Sequence, residues 1–295
     1  MVRGKIPRQP SKFGRQAGVT VKAGARARAG KNAPVRPVKP KASITKRAKI
    51  SAQPRPKAAQ PNRPKSVRPD GYNPVAPARI DEILRRLDAT YPNVRCALHH
   101  QSAWELLVAT ILSAQCTDAR VNMVTPELFR RYPTLRDFAA LSPEQLEPEI
   151  RSTGFFRNKA KSIVGAARKI ETEFGGKVPD EMDSLLTLPG VARKTANVVL
   201  GSWFGKAEGV VVDTHVHRIS RRLELTANNE PQKIEQDLMR VIPRQRWIDF
   251  AHQLIHHGRA LCLARTPKCA DCQLENLCHA ADKTWSTVEL HPDAK

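Results

Sequence analysis

The sequence predicts an all-α fold for the region after residue 74, preceded by a long basic segment without regular structure. From Pro77 onward, apolar residues recur at helical spacing in one stretch after another, and no stretch shows the strict alternation of a strand. Strands do not alternate with helices, which argues against a doubly wound nucleotide-binding fold. No period of about 30 to 45 residues repeats along the chain, so a helical solenoid is not expected either.

Apolar spacing, prolines and capping residues predict the individual helices. The first helix follows Pro77 and ends before Pro92, and a later one begins at Ser142, an N-cap that precedes a proline. Pro126 is expected to open a short helix that ends at Phe129. The other predicted helices lie around 104–112 and at 158–174, 180–187, 192–204, 214–223, 231–241 and 247–261.

Residues 1–74 carry most of the excess positive charge. The chain has 50 Lys+Arg and 28 Asp+Glu, a net charge of +22. Residues 1–74 hold 20 of the basic residues and one acid, Asp70, which gives +19, and the other 221 residues give 30 − 27 = +3. This segment also holds 11 of the 23 prolines and has no helical or strand period, so we predict that it is disordered.

The function of the basic segment stays open at this point. A nucleic-acid arm, a solvated linker, an organelle transit peptide and a misassigned start codon all fit its composition. No apolar segment follows the basic N-terminus, so we expect neither a signal peptide nor a membrane span. We expect a monomer in bacterial cytoplasm, or in a nucleus or mitochondrion if the source is eukaryotic.

Four cysteines near the end of the chain have the spacing C-x6-C-x2-C-x5-C. They are Cys262, Cys269, Cys272 and Cys278. Zinc modules usually have two C-x2-C pairs and this chain has one, which favours a 4Fe-4S cluster over zinc. Three disulfides are the alternative, but disulfide frameworks belong to small exported domains. The other two cysteines, Cys96 and Cys116, are interpreted as core thiols.

Residues 188–200 read L-P-G-V-A-R-K-T-A-N-V-V-L, in which a Pro-Gly turn opens an amphipathic helix. Together with the helix predicted at 180–187, this segment forms a helix-turn-helix pair. Free backbone N–H groups and the helix dipole make such a helix start an anion site, which can hold a DNA phosphate. The candidate DNA contacts in the turn are Gly190, Ala192, Arg193 and Thr195.

The hairpin, the sequence V-D-T-H at 212–215 and the cysteine loop follow one another as in the endonuclease III family of DNA base-excision glycosylases. The chain resembles this family over residues 78 to 280. The resemblance implies a bifunctional DNA glycosylase and AP lyase that removes oxidised pyrimidines from double-stranded DNA. It also implies two helical domains that flank a DNA cleft, one of which contains the 4Fe-4S cluster. The implied segments are a helical domain at 97–207 with its helix-hairpin-helix at 180–204, a discontinuous iron–sulfur domain at 78–96 plus 208–280, and a C-terminal tail at 281–295.

The resemblance also assigns the catalytic residues. Lys194 would attack C1′ of the damaged nucleotide, displace the base and form a Schiff base, from which β-elimination cleaves the strand. This attack needs a neutral amine, which the neighbouring charge of Arg193 and the positive helix start both favour. Asp213 would stabilise the oxocarbenium-like sugar, and it also occupies an N-cap position.

Two further segments resemble DNA contacts of the family. Residues 113–118 read S-A-Q-C-T-D, in which Gln115 would enter the duplex and fill the gap left by the extruded nucleotide. Between the first two cysteines of the cluster loop, Arg265 and Lys268 would form a basic finger against phosphates.

One departure and two alternatives accompany the resemblance. The family hairpin usually has a second glycine where this chain has Ala192, which affects DNA affinity if that position needs a positive φ.

An adenine glycosylase of the same superfamily is an alternative, but it normally lacks the hairpin lysine and has a further C-terminal domain. Here Lys194 is present and only 295 − 278 = 17 residues follow Cys278. A non-catalytic DNA-binding module is the second alternative.

Overall fold

The structure, a computed structural model, describes residues 71–284, and this part of the chain is helical without strands. Most of the segment predicted to be disordered, residues 1–74, therefore lies outside the described residues, as does most of the predicted tail at 281–295. Among the described residues, no helix is long and apolar enough to cross a membrane. The α-helices are α1 (Pro77–Thr90), α2 (Ala103–Ser113), α3 (Asp118–Arg131), α4 (Leu135–Ala140), α5 (Pro143–Ile150), α6 (Phe156–Glu173), α7 (Met182–Leu186), α8 (Arg193–Ser202), α9 (Thr214–Arg222), α10 (Pro231–Val241) and α11 (Trp247–Ala260). Short 3-10 turns lie at Arg151–Thr153, Arg244–Arg246 and Glu275–Leu277.

Two separate apolar cores form inside this part of the chain. The first core collects the buried faces of helices α2 to α8, with α6 packed against α4, α5 and α2. Phe138 is fully buried there, and its ring lies edge-on to Trp104 with 5.3 Å between the ring centroids. Burial of each such side chain contributes about 1.5–3 kcal/mol. The second core is built from α1, α9, α10 and α11 around the fully buried Phe250.

The first helix of the described chain packs against its last helix. Asp88 on α1 accepts hydrogen bonds from Arg246 Nη1 at 2.8 Å and from Gln253 Nε2 at 2.9 Å. The Arg246 guanidinium lowers the pKa of Asp88 from its usual value, and the Gln253 hydrogen bond adds to this effect. These contacts hold α1 in the second core. The described residues all belong to one compact unit, so the domain boundaries stay a prediction.

Two details differ from the sequence-based expectations. Pro126 was expected to open a helix, but it lies inside α3, which begins at Asp118. The start is fixed by Thr117, whose hydroxyl accepts a hydrogen bond from the backbone N–H of Arg120 at 3.3 Å. The short helix α4 was not predicted because its six residues are too few for a periodic pattern, and a capping box between Thr134 and Asp137 stabilises it instead.

Candidate active site

An open cleft of about 820 Å³ is lined by the ends of several helices and brings together residues distant in sequence. Lys194 at the start of α8, Asp213 before α9 and Gln115 after α2 all lie in its wall. His215 and His252 line the same cleft. The three residues predicted separately for nucleophile, carboxylate and wedge thus face one space large enough for a nucleotide.

The hairpin turn before α8 depends on a glycine. Gly190 has φ +77°, and a Cβ on this residue would lie 2.5 Å from the Cβ of Ser162 on α6. Pro189 packs against the same helix, because a Cβ added at Gly165 would lie 3.2 Å from its Cγ. The turn that leads into α8 therefore rests directly on α6, and no larger residue fits at position 190.

Ala192 is the N-cap residue of α8. Its φ of −97° and ψ of 169° are extended angles that any residue adopts, so the missing second glycine creates no backbone strain. Within the described part of the chain, no side chain caps the start of α8. Its first backbone N–H groups are consequently available to an anion such as a DNA phosphate.

Arg193 is engaged in an ion pair that the sequence did not indicate. Its Nε lies 3.0 Å and 3.2 Å from the two carboxylate oxygens of Glu235 on α10, which is buried with 6% exposure. Asn197 Nδ2 donates to the same carboxylate at 2.9 Å. Because Glu235 neutralises Arg193, the charge of Arg193 has less influence on Lys194 than the sequence argument assumed.

Asp213 caps helix α9 with one oxygen. Its Oδ1 accepts hydrogen bonds from the backbone N–H groups of His215 and Val216, both at 2.8 Å. Among the described residues, no hydrogen bond to Oδ2 is formed, so this oxygen can face the cleft. Burial lowers the pKa of His215, and the neighbouring Asp213 carboxylate opposes this effect. The two roles that the sequence suggested for Asp213 are compatible in this geometry.

Gln115 lies exposed in the loop between α2 and α3, in the left-handed backbone region with φ 54°. Phe155, at the start of α6, also has a positive φ of 47° and is 64% exposed. Strained backbone of this kind in non-glycine residues is concentrated at functional sites. Sequence reasoning found Gln115 through a motif but missed Phe155, for which the only signal is a Gly-Phe-Phe sequence.

The four cysteines of the C-terminal loop line one cavity between the loop and helices α9 and α11. Burial raises the pKa of Cys272 to about 12 and that of Cys278 to about 11, and a metal bound by these cysteines would favour their thiolate form. In the part of the chain that the structure describes, no three potential ligands converge closely enough for a single metal ion.

Polar groups around the cavity are directed at the cysteine sulfurs. Arg222 Nη1 donates to Cys262 Sγ at 3.1 Å and to the carbonyl of Leu263 at 2.7 Å, which holds the start of the loop. His257 is buried, with Nε2 3.4 Å from Cys272 Sγ and Nδ1 3.2 Å from the hydroxyl of Tyr91. Such hydrogen bonds to cysteine sulfur are typical of metal-ligand environments.

The cluster loop also presents the two predicted basic residues. Arg265 and Lys268 are both exposed, on either side of the buried Pro267. The backbone N–H of Lys268 donates to the carbonyl of Leu261 at 2.9 Å, which ties the loop to the end of α11. The loop therefore displays both charges to solvent from a fixed backbone.

Comparisons with known proteins identify the family of this chain. Residues 108–244 match the family model described as HhH-GPD superfamily base excision DNA repair protein. The chain is 57% identical over 203 residues to an endonuclease III from Synechocystis sp., covering 69% of this chain and 93% of that protein. It is 38% identical over 202 residues to endonuclease III from Escherichia coli, covering 68% of this chain and 95% of that protein.

Solved structures give the same result. The chain is similar to a non-covalent endonuclease III–DNA complex and to a trapped endonuclease III–DNA covalent intermediate, each with a TM-score of 0.66 and 42% identity. Each match covers 69% of this chain and 95% of the solved chain. Fold and site define a helix-hairpin-helix protein of base excision DNA repair. The chain belongs to the endonuclease III family. The predicted all-α fold and the predicted activity, DNA glycosylase and AP lyase, are confirmed.

Proposed function

We propose that the cleft is the active site of a bifunctional glycosylase that excises oxidised pyrimidines from double-stranded DNA, with Lys194 as nucleophile and Asp213 as the assisting carboxylate. The observation that supports this most strongly is that both residues line one cleft together with Gln115. A lysine at a helix start, a carboxylate with a free oxygen and an exposed polar side chain are the groups that this reaction requires.

The reaction follows from these groups. The lone pair of the neutral Lys194 amine forms a bond to C1′, and the electron pair of the glycosidic bond leaves with the base, which takes up a proton. Asp213 stabilises the positive charge that develops on the sugar and accepts a proton from the attacking amine. The C1′–O4′ bond then breaks, O4′ takes up a proton, and the nitrogen lone pair forms the C1′=N bond of a protonated Schiff base. Removal of a C2′ proton by a base forms the C2′=C3′ bond, and the 3′ phosphate leaves with the electrons of the C3′–O bond.

The protein contacts the DNA at three places: two sites bind backbone phosphates, and one side chain enters the base stack. The uncapped start of α8, with Gly190, Ala192 and Thr195, binds one phosphate through backbone N–H groups. Arg265 and Lys268 bind phosphates from the cluster loop. Gln115 fills the space that the extruded nucleotide leaves, because an unfilled gap in the stack is unfavourable.

We also propose that Cys262, Cys269, Cys272 and Cys278 hold a 4Fe-4S cluster. When bound, the cluster orders the loop that displays the basic residues, and it takes no part in the lysine chemistry. Arg193 was predicted as a further DNA contact, and its pairing with Glu235 makes it a weaker candidate than the two loop residues. The protein is proposed to act as a monomer in bacterial cytoplasm.

Borohydride trapping tests the proposal. The wild-type protein, Lys194→Gln and Lys233→Gln are each incubated with a duplex that contains thymine glycol, and the reduced adduct is measured. Lys233 is a matched control because it is a surface lysine on α10 that pairs with Glu230, the residue before that helix. We expect an adduct with wild type and Lys233→Gln and none with Lys194→Gln. No adduct with wild type, despite DNA binding, would favour a non-catalytic binding module.

A further inference from the structure

A lysine outside the cleft, Lys159 on α6, is buried inside the first core with 5% exposure. Its Nζ donates to the backbone carbonyls of Leu112 at 2.7 Å and Thr153 at 2.8 Å. Burial lowers the pKa of Lys159 from its usual value. A buried ammonium is costly in free energy, and an apolar side chain of similar length would fill the same space without that cost.

Both carbonyl partners lie at the ends of helical segments. Leu112 is in the last turn of α2, and Thr153 ends the 3-10 turn Arg151–Thr153. Carbonyl groups at helix ends lack a partner within the helix and carry partial negative charge, so a cation binds them favourably. The position of Lys159 is thus explained by electrostatic attraction to two helix ends, which it joins through one nitrogen atom.

Each of these helix ends leads to a strained residue. Three residues after Leu112 comes Gln115 with φ 54°, and two residues after Thr153 comes the exposed Phe155 with φ 47°. Lys159 itself does not line the cleft. Any effect of Lys159 on the reaction must therefore pass through the loops that follow its two partners.

We propose that Lys159 is a positioning residue that holds the Gln115 loop and the Phe155 loop in a fixed relation, so that Gln115 enters the DNA stack without displacement. This inference rests on the proposed role of Gln115. A loop whose side chain replaces an extruded nucleotide must resist the tendency of the neighbouring bases to close the gap. The buried Lys159 ammonium, with its two hydrogen bonds, supports this loop rigidly from inside the protein.

A kinetic double-mutant cycle with two substrates tests the inference. Single-turnover excision is measured on a thymine glycol duplex, and borohydride trapping is measured on a single-stranded oligonucleotide with an abasic site, which has no stack to fill. Wild type, Lys159→Met, Gln115→Ala and the double variant are compared. Lys161→Met, an exposed lysine on the same helix, controls for the lost positive charge.

We expect Lys159→Met to lower the duplex rate about tenfold while single-strand trapping changes by less than about twofold. The double variant should be no slower on the duplex than Gln115→Ala. Once the Gln115 side chain is removed, support of its loop by Lys159 no longer affects the rate. Thermal unfolding identifies a variant that does not fold. In that case Lys159→Gln, which keeps an N–H donor on a shorter side chain, is used and should show the same selective defect.

Equal losses on both substrates, or rate losses that multiply in the double variant, would show that Lys159 only stabilises the fold. A normal duplex rate in a folded Lys159 variant would overturn the inference directly. A wild type that neither excises thymine glycol from the duplex nor is trapped on the single strand would instead contradict the proposed lysine chemistry, and with it the inference. The two failures are therefore distinguishable.

Discussion

Arg193 and Glu235 form an ion pair that joins the start of helix α8 to helix α10, with 3.0 Å between Arg193 Nε and the nearer carboxylate oxygen. The carboxylate is buried and also binds Asn197. Position 209 is close to it as well, since a Cβ added to Gly209 would lie 2.0 Å from Glu235 Oε1. Arg193, which precedes the proposed nucleophile Lys194, is therefore held in place by Glu235 on α10, a helix of the second core.

The pairing predicts that Arg193 contributes little to DNA affinity. The slope of log affinity against log salt is negative, and each Lys or Arg that neutralises a phosphate adds about one to its magnitude. Arg193→Gln should leave that slope nearly unchanged, whereas Arg265→Gln should reduce it by about one. Fluorescence anisotropy with an undamaged duplex over a range of salt concentrations gives both slopes. An equal reduction in both variants would show that Arg193 leaves Glu235 to bind a phosphate.

Replacement of the hairpin glycine, Gly190, is expected to destabilise the protein. Gly190→Ala places a methyl group 2.5 Å from Ser162 Cβ on a backbone with φ +77°, so we expect a loss of about 1–3 kcal/mol in the free energy of unfolding. Urea unfolding measures the loss. Gly175→Ala is the control, because Gly175 also has a positive φ of 59° but a Cβ there meets no atom within 4 Å. Equal losses would mean that backbone strain alone, without the contact to α6, sets the effect.

The uncapped start of α8 predicts a trade between stability and DNA binding. Ala192→Ser supplies a hydroxyl that accepts a backbone N–H at the N-cap, which should stabilise the protein by about 1 kcal/mol. The same hydroxyl competes with a phosphate for that N–H, so the affinity for an abasic duplex should fall. Unfolding and anisotropy measurements check the two effects, with Ala192→Gly as a variant that adds no acceptor. Higher stability with unchanged affinity would indicate that no phosphate binds at this helix start.

Asp88 makes the packing of α1 on α11 sensitive to acid. The ion pair with Arg246 lowers the pKa of Asp88 in the folded state below its usual 3.8, so its contribution is present above that value and is lost as the pH falls below it. Thermal unfolding of the wild type and of Asp88→Asn should therefore differ most at neutral pH and converge in acid. Asp81→Asn, an exposed change on the same helix, is the control. A difference that persists unchanged to low pH would contradict the ion-pair explanation.

Motif order and helical spacing were sufficient to predict the fold class and the family, because the hairpin, the V-D-T-H sequence and the cysteine loop depend on local chemistry. The environment of Arg193 could not be predicted, since its partner Glu235 is 42 residues away in sequence and meets it only in the folded chain. The backbone at Ala192 also required the structure, because sequence alone left open whether that position has a positive φ. Pro126 was misplaced because a proline can lie inside a helix whose start is fixed by another cap.

Lys159 and Phe155 illustrate a second limit of prediction from the sequence. A lysine at helical spacing is normally an exposed residue, and nothing local indicates that this one bonds two carbonyls from different segments. The left-handed backbone of Phe155 likewise follows from the turn it must make after Gly154. The contacts of Lys159 arise from tertiary packing, and the only local signal for Phe155 is the Gly-Phe-Phe sequence.

The central claim, that Lys194 forms the Schiff base, is tested most directly by locating the adduct. The wild-type protein is trapped with borohydride on a thymine glycol duplex, digested with nuclease and protease, and analysed by tandem mass spectrometry. We predict that the sugar remnant is attached to Nζ of Lys194. Attachment to another lysine or to the N-terminal amine, with Lys194 unmodified, would contradict the account.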